Sequence, residues 1–268
     1  MIDSLKRTYH RLLQEVPAKT FRYLYGALDF SDRLLGLVGP RGVGKTTLML
    51  QMIKYKIREI GAAFYVSADH IYFQSTRLFD FVERLVDTEA VSHVFIDEIH
   101  KYPGWNQELK NIHDAFPRLK LIFSGSSSLD LVKGKYDLSR RGVLYHLHGL
   151  SFREYLNIVT DQELPALSWD ALLGQHQALS AQYAEIPKLK AWFTKYLLHG
   201  YYPFVFEGEG SVVQKLNAII DKAIYQDIAS FYQLKTSSLA IFKKMMVFMA
   251  SIPPGTLNVH HLSQDLRI

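Results

Sequence analysis

The sequence predicts an α/β fold in which helices cover both faces of a parallel β-sheet, followed by a mainly helical second part. Short apolar segments alternate with segments of helical periodicity over the first 150 residues, a pattern typical of parallel sheets. A glycine-rich loop lies between the first strand and the helix after it, and strand-like segments stop near residue 150. These observations predict an α/β domain over residues 1–150 and a mainly helical domain over residues 151–268.

The predicted strands of the first domain are short and apolar, as strands buried on both faces should be. They cover residues 34–38, 62–67, 93–97, 119–124 and 143–148. Apolar residues at helical spacing predict helices over residues 5–16, 46–60, 78–86 and 105–116. Ser75 is the predicted cap of the third helix, while Gly61 and Pro117 end the second and the fourth.

The second domain begins with a helix-start signal. Ser151-Phe152-Arg153-Glu154 has the capping-box pattern, in which the serine and the glutamate satisfy the first N–H groups of a helix. Helical spacing predicts further helices over residues 189–197, 216–224 and 241–249. Pro253-Pro254-Gly255 ends the last of these, and a final helical segment covers residues 259–268.

Composition limits the class of protein. The chain has 268 residues, of which 48% are hydrophobic and 21% are charged, as in an ordinary globular protein. The absence of cysteine excludes disulfides and thiolate metal sites and favours a cytoplasmic location. No segment has the apolar length of a signal core or a membrane span. The formal net charge of +5 permits contact with nucleic acid without indicating it.

The loop after the first strand matches the phosphate-binding motif G-x-x-x-x-G-K-[ST] at every fixed position. Its glycines allow a sharp turn, in which backbone N–H groups and a helix N-terminus face a phosphate chain. Lys45 is predicted to supply a positive charge to the outer phosphates, and the Thr46 hydroxyl to ligate Mg²⁺. The predicted nucleotide-binding residues are Gly39, Pro40, Arg41, Gly42, Val43, Gly44, Lys45, Thr46 and Thr47.

Two carboxylates lie at the carboxyl end of the third predicted strand. Asp97 and Glu98 come directly after the apolar run Val94-Phe95-Ile96. Because ligands of open parallel sheets bind at the carboxyl ends of the strands, both carboxylates are expected near the phosphate-binding loop. We predict that Asp97 holds Mg²⁺, directly or through water, and that Glu98 orients or activates the attacking water.

Two further catalytic candidates come from the next strands. Ser124 ends the fourth strand, where its hydroxyl is predicted to bond the γ-phosphate or the attacking water; Ser126 is the alternative. Arg140 and Arg141 precede the fifth strand. Arg141 is predicted to reach the γ-phosphate held by a neighbouring subunit, and a solvated basic turn is the alternative interpretation.

In combination, these segments resemble one family of prokaryotic AAA+-type ATPases. The segments that carry the resemblance are residues 39–47, 95–103 and 124–127, Arg141 with residues 150–155, and residues 200–203 and 227–229. The resemblance implies an AAA-like sheet in which the strand before the phosphate-binding loop is central, and Mg-ATP as the ligand. It also implies that Arg141 occupies the position of the arginine typical of the family. It also implies that residues 257–268 open a winged-helix unit that is incomplete in this sequence. Arg140 and Tyr201 depart from the family pattern.

The motifs and the resemblance together favour an ATPase that acts as a nucleotide-driven switch on a partner. A DNA-binding regulator that holds ATP as a structural ligand is the alternative. A phosphotransferase is disfavoured because Glu98 suits water as the nucleophile, and a GTPase because the sequence has no Asn/Thr-Lys-x-Asp segment. The predicted partners are ATP, further copies of the chain, and DNA or a protein, but no membrane.

Overall fold

The computed structural model describes residues 2–125, 141–232, 234–253, 255–256 and 259–266. Its centre is one sheet of five parallel strands in the order β2-β3-β4-β1-β5. The strands are β1 Leu34–Val38, β2 Ala63–Ser67, β3 His93–Asp97, β4 Lys120–Gly125 and β5 Val143–His146. The predicted parallel α/β fold is therefore confirmed, and the loop strand β1 lies inside the sheet between β4 and β5.

Helices alternate with the strands in the first part of the chain. They are α1 Ile2–Gln14, α2 Tyr23–Ala27, α3 Lys45–Lys56, α4 Leu78–Glu89 and α5 Trp105–Ala115. Every residue of β1 is buried, which requires cover on both faces of the sheet. Among the described residues, no helix has both the length and the apolarity needed to cross a bilayer.

The described residues after β5 form helices and no strand. The α-helices are Phe152–Thr160, Trp169–Ala184, Leu189–His199, Val212–Lys222, Ala229–Tyr232, Thr236–Ser251 and Val259–Leu266. Ala223–Ile228 is π-helical. The predicted change from α/β to helical structure near residue 150 is therefore present.

Three local predictions about helices were wrong. α3 ends at Lys56 rather than at residue 60, because Ile57 has the extended dihedral angles φ −84° and ψ 120°. Ser75 does not cap α4, whose second N–H group, on Phe79, donates instead to Glu108 Oε2 at 2.8 Å. The helix Trp169–Ala184 was missed because it has no buried residue and hence no apolar stripe to detect.

The chain divides into two compact units, Met1–Glu207 and Gly208–Ile268. The predicted boundary at residue 150 therefore lies inside the first unit. The reason is the packing of the helices that follow β5: the Leu150 N–H donates to the Tyr201 carbonyl at 2.7 Å, and the Tyr196 hydroxyl donates to the Leu150 carbonyl at 2.8 Å. A Cβ atom at Gly149 would collide with the Tyr201 ring, so the aromatic segment after residue 200 packs against this turn.

A buried ion pair joins separate segments of the first unit. The Arg22 Nε atom donates to Glu154 Oε1 at 3.0 Å, and its Nη2 atom donates to the carbonyls of His148 and Gly149 at 2.7 and 3.0 Å. Its Nη1 atom donates to the carbonyl of Val43 in the phosphate-binding loop. Arg22 thereby connects this loop to the turn after β5 and to the helix Phe152–Thr160.

Glu154 accepts hydrogen bonds from Ser151 as well as from Arg22. Its Oε2 atom accepts the N–H of Ser151 at 2.9 Å, while the Ser151 hydroxyl accepts the Glu154 N–H, which confirms the predicted capping box. Burial opposes its charge, but hydrogen bonds from the Ser151 and Tyr23 N–H groups and the charge of Arg22 outweigh burial. The pKa of Glu154 is therefore held below its ordinary value.

We expect Glu154→Gln to lower the free energy of unfolding at neutral pH by about 3 kcal/mol, because it leaves the buried Arg22 charge without its partner. Since the folded pKa of Glu154 is lowered, the stabilisation is complete above the unfolded pKa and is lost as pH falls through the folded pKa. The difference between the variant and wild type should therefore shrink below about pH 4.3. Urea unfolding across this pH range measures it.

Glu89→Gln is the matched control. Glu89 pairs with Lys6 at 2.6 Å, but both side chains are about one-third exposed, so the expected loss is below about 1 kcal/mol. Equal losses in the two variants would contradict the account of Arg22 and Glu154.

Candidate functional site

The phosphate-binding loop has the backbone that its glycines predict. Gly42 and Gly44 have φ values of 81° and 93°, in the left-handed region that favours glycine. A Cβ atom at Gly39 would collide with the Leu147 carbonyl oxygen, so this position also requires glycine. Gly44 precedes α3 without a side-chain cap, which leaves the helix N-terminus suited to an anion.

Lys45 lies inside the loop. Its side chain is 5% exposed, and its Nζ atom donates to the carbonyls of Gly39 and Pro40 at 2.8 and 2.9 Å. A buried ammonium group costs free energy unless partners hold it, so this placement indicates a charge retained for use. The lysine is positioned by the same loop whose N–H groups would bind phosphate.

Asp97 connects the loop to the sheet. Its Oδ2 atom accepts hydrogen bonds from the Thr46 hydroxyl at 2.5 Å and from the Tyr65 hydroxyl at 2.9 Å. Its Oδ1 atom accepts the Ser124 hydroxyl and, at 3.1 Å, the Glu98 N–H. A carboxylate has about four acceptor positions, and protein donors fill that number here. The Asp97 carboxylate is thus held in one orientation, directly beside Thr46.

Tyr65 is the donor from β2 in this arrangement. Burial of the ring raises the pKa of Tyr65, and the nearby charge of Asp97 raises it further. The phenol therefore stays protonated and donates a hydrogen bond to Asp97.

Glu98 has a strained backbone and a buried carboxylate oxygen, Oε2, although 24% of its side chain is exposed. Its φ value is 51°, unusual for a residue with a side chain. Its Oε2 atom lies 3.3 Å from His100 Nε2 and 3.9 Å from Arg41 Nη1, yet accepts no hydrogen bond from any described residue. Burial and the charge of Asp97 raise the pKa of Glu98, and Lys45 and Arg41 partly offset this rise. An unsatisfied carboxylate oxygen in such a position is typical of a functional site.

The structure brings together five of the predicted site residues: Lys45, Thr46, Asp97, Glu98 and Ser124. Ser124 is fully buried, and its hydroxyl bonds Asp97 and accepts the Glu98 N–H at 3.2 Å. In this structure the serine therefore contacts the carboxylate of Asp97 and the backbone of Glu98.

The other loop positions differ in exposure. Pro40, Gly42 and Thr47 are exposed, whereas Val43 is buried. Ser126, the alternative to Ser124, and Arg140 lie outside the described residues.

Arg141 lies away from the loop of its own chain. It precedes β5, at the amino ends of the strands, whereas the loop follows the carboxyl end of β1. Its Nε and Nη2 atoms donate to the two carboxylate oxygens of Asp114, near the end of α5, at 3.0 and 3.1 Å. The predicted contact with a γ-phosphate therefore requires a second subunit.

Sequence reasoning missed three residues of this region: Arg22, Tyr65 and His100. The sequence indicates no role for His100, but its nearly buried ring lies beside Glu98. Tyr65 stands in an apolar strand without a polar neighbour pattern, so nothing in the sequence indicates the partner of its hydroxyl.

The fold and the site together define a nucleotide-binding protein of the phosphate-binding-loop class. A family model described as an AAA domain matches residues 31–156. The match covers 126 of the 268 residues, and it confirms the resemblance to AAA+-type ATPases. The match includes the loop, both carboxylates, Ser124 and Arg141. No curated protein sequence matches the chain.

Several solved structures are similar to this chain at low identity and low TM-score. AMPPCP-bound DnaA from Aquifex aeolicus is 15% identical with a TM-score of 0.38, over 97% of this chain and 86% of that one. The S. cerevisiae Hsp104–ADP complex is 20% identical with a TM-score of 0.42, over 57% of this chain and 25% of that one. C. elegans PCH-2 is 19% identical with a TM-score of 0.38, over 57% and 43%. The chain thus spans under half the length of PCH-2 and a quarter of that of Hsp104.

Proposed function

We propose that this protein binds Mg-ATP at residues 39–47 and hydrolyses it to ADP and phosphate. The observation that carries the proposal is the contact between the two motifs. Thr46 of the loop donates to Asp97 of β3 at 2.5 Å, and Glu98 follows directly. A phosphate chain on the loop would therefore meet a hydroxyl, an ammonium group and two carboxylates in one place.

The donor set fits a magnesium ion. Mg²⁺ prefers oxygen ligands and usually keeps several waters. The Thr46 hydroxyl donates its hydrogen bond to Asp97, so both lone pairs of its oxygen remain available to a metal. Asp97 already accepts bonds at both oxygens, which favours a contact with the ion through water. When bound, the ion would neutralise charge on the outer phosphates.

Glu98 is the proposed base. Its raised pKa and its unsatisfied Oε2 atom suit a group that takes a proton from a water molecule. Its N–H donates to Asp97 Oδ1 and to the Ser124 hydroxyl, so the backbone of Glu98 is fixed beside the metal-binding residues. In this proposal Ser124 positions Glu98, and Lys45 stabilises the charge that develops on the γ-phosphate.

The proposed activity is tested by phosphate release from ATP, measured with Mg²⁺ and with a chelator in its place. We expect release only with Mg²⁺, because Thr46 and Asp97 act through the ion. Saturable Mg-ATP binding without any phosphate release would reduce the proposal to a nucleotide-binding protein.

We also propose that nucleotide binding acts as a switch on a partner of this protein. The contacts of Arg22 support this proposal. Arg22 bonds the Val43 carbonyl inside the loop and, through Glu154, the helix Phe152–Thr160. A change in loop position on nucleotide binding would therefore reach a helix that does not itself bind phosphate. The partner on which such a switch acts is a protein or DNA. We also propose that the protein is located in the cytoplasm.

We also propose that Arg141 acts in trans within a homo-oligomer. Arg141→Ala should lower turnover by about 10³-fold, since such an arginine stabilises transition-state charge. The affinity for ATP should stay unchanged, because Arg141 lies away from its own loop. Turnover per chain in the wild type should rise with protein concentration.

Arg118→Ala, which removes an exposed arginine three residues beyond α5, is the matched control and should keep wild-type turnover. Turnover that is independent of concentration in the wild type would refute the trans role of Arg141.

The DNA-binding alternative is separated by one titration. Affinity for duplex DNA that falls steeply with salt would indicate phosphate contacts. If such DNA binding persists in the absence of ATP hydrolysis, the protein is better described as a DNA-binding regulator that holds ATP as a structural ligand.

A further inference from the structure

Tyr65 contacts the proposed metal site from β2. In the parallel pair of β2 and β3, Tyr65 lies opposite Phe95, and Ser67 lies opposite Asp97. Side chains two residues apart on a strand share a face, so Tyr65 and Asp97 are diagonal neighbours on one face of the sheet. The Tyr65 hydroxyl donates to Asp97 Oδ2 at 2.9 Å from a buried ring.

The same Asp97 oxygen also accepts the Thr46 hydroxyl. One donor therefore belongs to the phosphate-binding loop, and the other belongs to a strand inside the sheet. A loop can shift when a ligand binds, whereas a buried ring in a paired strand stays in place. The Tyr65 hydroxyl is thus a fixed reference for the orientation of the Asp97 carboxylate.

We propose that Tyr65 is a positioning residue for Mg²⁺, which orients the Asp97 carboxylate toward the ion held by Thr46 and the nucleotide. This inference rests on the proposed function, since it concerns the ion that accompanies ATP. Partners in the outer sphere of a metal site commonly tune metal affinity in this way.

Removal of the hydroxyl has two opposing effects. It frees a lone pair on Asp97 Oδ2, which by itself would strengthen attraction to a cation. However, Asp97 is 2% exposed, so the freed lone pair would face a ring edge rather than water, and one of its four hydrogen bonds would be lost. Loss of orientation and of charge stabilisation should prevail, and Mg²⁺ affinity should fall.

The test is a calorimetric titration of Tyr65→Phe with ATP at a series of Mg²⁺ concentrations. We expect the Mg²⁺ concentration for half-maximal enhancement of ATP binding to rise by about tenfold. ATP affinity in the presence of a chelator should stay within about twofold, because Tyr65 does not belong to the loop. Phenylalanine keeps the ring packing, so circular dichroism of the variant should match wild type.

Tyr9→Phe is the matched control. Tyr9 is also buried, and its hydroxyl donates at 3.2 Å to the carbonyl of Ala63, the first residue of the same strand β2. This variant loses a comparable buried hydrogen bond to the same strand, without contact to Asp97. Its Mg²⁺ dependence should equal that of wild type.

Three results would overturn the proposal. An unchanged or higher Mg²⁺ affinity in Tyr65→Phe, beside a wild type that binds ATP with Mg²⁺, refutes the role of Tyr65 and leaves the proposed function intact. An equal loss in Tyr9→Phe shows a general effect on β2 instead. A wild type whose ATP binding does not respond to Mg²⁺ refutes the proposed function together with this inference.

Discussion

Lys45→Ala is expected to weaken Mg-ATP binding by roughly 100-fold, the effect of losing about 3 kcal/mol of charge-assisted hydrogen bonding. Its ammonium group is already inside the loop, bonded to the Gly39 and Pro40 carbonyls. Binding of the triphosphate therefore needs little rearrangement of this side chain, and truncation removes a preorganised contact. Calorimetric titration with Mg-ATP measures the loss.

Lys54→Ala is the control for this variant. Lys54 lies on the same helix α3, and its Nζ atom is 3.5 Å from the Val16 carbonyl, away from the loop. It should bind Mg-ATP as wild type does. Unchanged ATP affinity in Lys45→Ala would contradict the account of the loop.

Glu98→Gln is expected to lower hydrolysis by at least about 10²-fold while ATP stays bound, since glutamine has the same shape but takes no proton. The substitution also removes the repulsion between the neighbouring charges of Glu98 and Asp97, which supports retention of nucleotide. Single-turnover phosphate release measures the rate. Gel filtration followed by nucleotide analysis measures the retained ATP.

Glu89→Gln makes the same chemical change in the ion pair with Lys6, at the last residue of α4. This variant should leave turnover unchanged. Wild-type turnover in Glu98→Gln would exclude this residue as the base. No residue would then be assigned as the base that activates the attacking water.

Much of the fold is predictable because the strands are short apolar runs with clear limits. β1 and β3 coincide with the predicted residues 34–38 and 93–97. Elements without a buried face escape prediction, as the helix Trp169–Ala184 shows. The division of the chain at residue 207 rather than 150 follows from tertiary packing, which local periodicity does not contain.

The candidate site divides in the same way. The loop and the two carboxylates are predictable because each is a contiguous motif beside a recognisable strand. Arg22 and Tyr65 are not, because their partners Glu154 and Asp97 are 132 and 32 residues away in the sequence. Only the folded chain shows that these side chains meet, and no residue pattern near either one indicates it.

We propose above all that Lys45, Thr46, Asp97 and Glu98 form one binding site for a magnesium-bound triphosphate. The most direct measurement is a crystal structure with Mg²⁺ and a non-hydrolysable ATP analogue. We expect phosphates along residues 39–46 and the ion beside Thr46, with Asp97 within reach of a metal-bound water. A nucleotide bound elsewhere, or an ion on the far side of the sheet from Asp97, would contradict it.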